Sequence, residues 1–129
     1  MARRPIVFRR RHARVSSLNR AAAIIRPKQP LLDWLRSQPD WDFDLTLEEM
    51  RADEALVLLV PDYGTLDEAR DYVARNFELV FSLELNGWYT DPNLWPASRT
   101  AAMFLEWFEV ELHSQIADIV REPLMLERW

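Results

Sequence analysis

The sequence predicts an α+β domain: a small mixed or antiparallel sheet of about three strands, backed by helices, in the order β-α-(α)-β-α-α-β. Three observations carry this. Two Thr-x-x-Glu capping boxes, at Thr46–Glu49 and Thr65–Glu68, open helices. The run Ala55–Val60 is apolar throughout and is closed by Pro61, as in a buried strand. Phe108, Val110, Leu112 and Ile116 alternate with Glu109, Glu111, His113 and Gln115, as in a strand with one covered face.

Taken in order, Leu18–Arg26 reads as the first strand, ended by Pro27. Pro30 suits a first helical position, and Leu31, Leu32, Trp34 and Leu35 form one apolar stripe before Pro39 stops the helix. The capping box at Thr46 opens a second, short helix. It must be short because Ala55–Val60 follows at once, and so long an apolar run suits a central strand covered on both faces. From Thr65 onwards Leu66, Ala69, Val73, Phe77, Val80 and Phe81 recur at three- and four-residue spacing. That predicts one helix from Leu66 to Leu85, with Gly87 at its C-terminal stop.

Ser98 can cap a further short helix that buries Met103, Phe104 and Trp107. Beyond it two periods compete. Phe104, Phe108, Leu112 and Ile116 are four apart, but Glu109, Glu111 and His113 alternate with Phe108, Val110 and Leu112. The strand is the better reading, since it sets the charges on one face.

The 129 residues fit a single domain able to bury a real core, and two glycines are too few for a turn-rich β sandwich. Without cysteine there is no disulfide framework, no thiolate zinc site and no thiol nucleophile, as suits a reducing, cytoplasmic setting. No apolar run reaches membrane-spanning length.

The net charge of −5 hides a division. Residues 1–14 hold six arginines and no acid, whereas residues 15–129 hold ten Lys/Arg against twenty-one Asp/Glu. The Arg-rich arm, residues 1–15, is expected to be flexible and dispensable for folding. It has no apolar stretch of secretory type. In composition it resembles a presequence, though Pro5 breaks any helical stripe, and an extension ahead of a domain starting near Ser16 explains it as well. The acidic remainder, 16–129, should repel nucleic acid and anionic membrane and favour a protein partner, a basic one in particular.

Two stretches, LNRAAAIIRPKQPLLDWL and GWYTDPNLWP through EWFEVELHSQIADIV, resemble a family of small uncharacterised bacterial proteins over residues 17–124. The resemblance brings no known activity and therefore assigns no functional residue.

Candidate chemistry is sparse. Asp40-Trp-Asp42-Phe-Asp44 opens like a calcium loop, but Leu45 and Arg51 occupy the positions that need glycine and glutamate. An EF-hand is excluded. Glu109, Glu111 and His113 would share one side of a strand, about 7 Å between successive members. With one histidine in the body, zinc lacks its usual nitrogen and sulfur ligands, and no metal or cofactor is expected. No nucleophile elbow, P-loop, dinucleotide fingerprint or H-E-x-x-H motif occurs.

Two readings follow. In the first the domain is a non-catalytic binding or regulatory module that engages another protein through Tyr89, Trp95 and Trp41. In the second a small enzyme assembles its site from Arg99, His113, Glu111, Glu109 and nearby carboxylates. Within the GWYTDPNLWP connection, Trp88 continues the helical stripe and is expected to plug the core, while Tyr89 is expected to face solvent.

Overall fold

The computed structural model describes residues 16–128, and the Arg-rich arm lies outside them. Strand β1 (Ser16–Ser17) leads into β2 (Arg20–Pro27), followed by α1 (Gln29–Arg36), α2 (Leu47–Ala52) and β3 (Leu56–Pro61). The chain continues as α3 (Leu66–Arg75), α4 (Phe77–Trp88), a 3-10 turn at Pro92–Leu94, α5 (Ala101–Trp107), β4 (Phe108–His113) and β5 (Ala117–Asp118). Strands β3, β2 and β4 form an antiparallel sheet in that order, and β1 pairs with β5 in a separate two-stranded ladder. This is the expected α+β class. Among the described residues no helix is long and apolar enough to cross a membrane.

The central strand is β2, not β3. Ala21, Ala23 and Ile25 of β2 are almost fully buried against the helices, and β3 and β4 flank them. Helices cover only one face of the sheet, so the apolar run of β3 leaves Val57 and Leu59 more than half exposed on the other. A continuous apolar run fits an edge strand as readily as a central one; the pairing order decides.

The helix expected over 66–85 is two helices. Asn76 sits at the junction with φ −103° and ψ 26°, its side-chain amide donating to the Tyr72 carbonyl at 2.9 Å. That local bond competes with the helical ladder, and α4 starts afresh at Phe77. Gly87 is not a stop: it lies inside α4, which ends at Trp88 without any left-handed residue.

Capping follows the sequence in part. Thr46 and Glu49 form the complete reciprocal box, whereas Thr65 accepts from the Glu68 amide alone. The cap of α5 is Thr100 rather than Ser98, with Thr100 Oγ1 accepting from the Met103 amide at 3.1 Å. The core is tied by an aromatic knot. Phe81 of α4, Phe104 of α5 and Phe108 of β4 are fully buried, with ring centroids 5.3–6.0 Å apart.

Candidate functional site

The aromatic connection after α4 is pinned from inside. Tyr89 leaves the helix with an extended backbone, which turns its ring beneath the loop and against Trp34 of α1, edge to face at 5.6 Å. Its hydroxyl donates to Asp40 Oδ1 at 2.7 Å. That bond, with desolvation and the charges of Asp40 and Asp91, holds the hydroxyl above its ordinary pKa. Tyr89 is thus buried, and the expectation of an exposed binding residue is corrected.

Trp95 is half-buried, and its indole donates to the Tyr89 carbonyl at 2.6 Å. Arg99 lies 5.9 Å from the centre of the Trp95 ring and 6.0 Å from that of Phe81, while donating to the Pro96 carbonyl. Trp41 is half-buried and meets Phe43, which is the exposed member of that pair.

Glu109, Glu111 and His113 do share the open face of β4. Each carboxylate already has a partner. Arg51 of α2 binds Glu109 and donates to the Pro27 carbonyl, and Glu111 meets Arg26 at 3.8 Å. Glu111 also bonds His113 Nε2 at 2.9 Å, which together with the arginine charges holds its carboxyl below the ordinary value despite some desolvation. Among the described residues no group of three or more His, Cys, Asp or Glu is placed to hold a metal ion. Arg99 belongs to the helical layer and His113 to the opposite, open face of the sheet, so the two are not brought together.

A different carboxyl stands out. Glu84 of α4 is 8% exposed, and burial pushes it up to about 7, partly offset by a hydrogen bond with Trp88 one turn on. It lies at a cleft of about 370 Å³ between the last turns of α4 and the segment joining α2 to β3. Asp53 and Glu54 stand exposed on the rim; Leu56, Leu83 and half-buried Trp88 supply apolar wall. A small neighbouring cavity shares Glu84 and Trp88 with it and is lined on its inner side by Ile25 and Met50 and by the arginines Arg26 and Arg51. Trp88 is therefore a wall of this cleft, packed against the core at its edge rather than sealed within it.

The local sequence accounts for this geometry. Val80, Phe81 and Leu85 mark the buried stripe of α4, and Glu84 falls on it, four residues before half-buried Trp88. A carboxylate within an apolar stripe is the signal that points to Glu84. Asp53 ends α2 with an extended backbone, turning the chain into β3 and leaving the cleft open at Gly87, where a Cβ would meet nothing within 4 Å. A carboxyl poised near neutrality, two further acids and an indole make a site suited to a cation with an aliphatic stem. Comparison with known proteins gives no match, whether to a family model, a curated protein or a solved structure.

Proposed function

We propose that the domain is a non-catalytic binding module for a basic protein, and that the Glu84 cleft receives a lysine or arginine side chain of that partner. The observation that carries the proposal is the buried Glu84 carboxyl beside a cleft rimmed by Asp53 and Glu54. Leu83 and Leu56 match the methylene stem of such a side chain, and the Trp88 indole can stack beside its charge. The acid excess of residues 15–129 steers a basic partner towards this surface. A cytoplasmic setting belongs to the same proposal.

The enzymatic alternative draws less support. Its residues are divided between the helical layer, with Arg99, and the open sheet face, with Glu109, Glu111 and His113.

Calorimetric titration with an oligolysine peptide at pH 8 tests the proposal. Saturable binding is expected, weakened about tenfold by Glu84→Gln, the scale of one lost charged contact. Equal binding by the variant and the wild-type chain would move the partner site away from this cleft.

A further inference from the structure

Two apolar surfaces lie uncovered among the described residues. The first is the outer edge and open face of β3. Among the described residues only β2 pairs with β3, so one row of its backbone amides and carbonyls has no strand partner. Protein edges are usually blunted by charges, bulges or proline within the strand. Here the stretch from Ala55 to Val60 has no charged residue, and proline comes only at its end. Val57 and Leu59 add exposed side chains at 55% and 54%, next to Ala22 and Ile24 of β2 on the same face.

The second surface is the chain after β5. Ile119, Val120, Leu124, Met125 and Leu126 are 60–97% exposed, in a segment that forms no helix or strand. Five large apolar side chains among eight residues are costly to leave in water, and such segments mark contact surfaces.

We propose that residues 119–126 of one copy lie as an added strand along β3 of a second copy, and reciprocally, to give a closed two-fold dimer. Length fits: eight extended residues span about 26 Å and six-residue β3 about 20 Å. Position fits too. Asp118, the residue before the tail, pairs with Ser16, four residues before Arg20, and Arg20 pairs with Pro61 at the end of β3. The tail thus leaves from the end of the sheet where β3 finishes. Once added, the tail becomes the new edge, and Pro123, which has no amide hydrogen, with Arg121 and Glu122, blunts it against further strands. Growth stops at two copies because the exchange is reciprocal, so that both tails and both β3 edges are used within the pair.

Sedimentation across the micromolar range tests this with full-length chains. The wild type is expected to be a dimer. Val57→Lys with Leu59→Lys, and separately Leu124→Asp with Leu126→Asp, are each expected to be folded monomers, because the altered positions are exposed; their thermal midpoints check folding. An equimolar mixture of the two variants is expected to form a heterodimer, since one intact tail still meets one intact β3. A monomeric wild type, a dimer that survives the tail substitutions, or an open-ended polymer would each overturn the proposal. So would a dimer that disappears only when residues 1–15 are removed.

Discussion

Glu84 and Trp88 stand one helical turn apart on α4, and the indole hydrogen-bonds a carboxyl that burial pushes up to about 7. The folded pKa lies above the ordinary value of 4.5, so between those values the folded chain holds a proton that the unfolded chain has released. Stability therefore falls as pH rises from about 4.5 to about 7, by up to about 3 kcal/mol at 1.36 kcal/mol per unit. Glu84→Gln should remove this contribution and be more stable than the wild type at pH 8, the difference shrinking towards pH 5. Urea unfolding at the two pH values measures it.

Gly87 offers a sharp test of the helix end. At a left-handed stop, alanine would be strained. Inside α4, with no atom near its absent Cβ, Gly87→Ala should instead stabilise the fold by roughly 0.5–1 kcal/mol. A lowered thermal midpoint would place the stop back at Gly87.

Tyr89 departs from the role expected from the sequence, whereas Trp88 packs against the core as expected, though at its edge. Tyr89→Ala loses a buried ring against Trp34 and should cost about 3 kcal/mol or more. Trp88→Ala should cost less, since the indole is only partly buried, at the edge of the core. Chemical denaturation of both variants gives the order directly.

Arg51 joins three elements: it sits on α2, donates to the Pro27 carbonyl at the end of β2 and binds Glu109 of β4. Arg51→Ala should cost about 1–2 kcal/mol. Arg51→Lys should recover only part of it, because a single ammonium cannot present the same two-pronged geometry. Full recovery by lysine would show that charge alone matters there.

Local chemistry was legible from the residues. Thr46 with Glu49 announced α2, and the alternation of Glu109, Glu111 and His113 with Phe108, Val110 and Leu112 announced β4. What the residues did not reveal depends on distant pairing. Whether Ala55–Val60 lies at the centre or the edge rests on which strands flank β2, and no periodicity within the run records that. The break at Asn76 was hidden because apolar spacing continues across it, although an asparagine bonded to its own helix was a usable clue. Glu84 is not among the site residues expected from the sequence, although an acid on an apolar stripe was a usable signal; its cleft exists only because Asp53 and Glu54 turn past α4. Tyr89 misled because helical spacing stops applying once the helix ends.

The most direct test of the binding module is the titration of the Glu84 side-chain carboxyl, followed by carbon-13 NMR in the presence and absence of saturating oligolysine. Free protein should titrate at about 7, and peptide should draw the midpoint down, because a cation in the cleft favours the charged carboxylate. A midpoint unmoved by bound peptide would contradict the account.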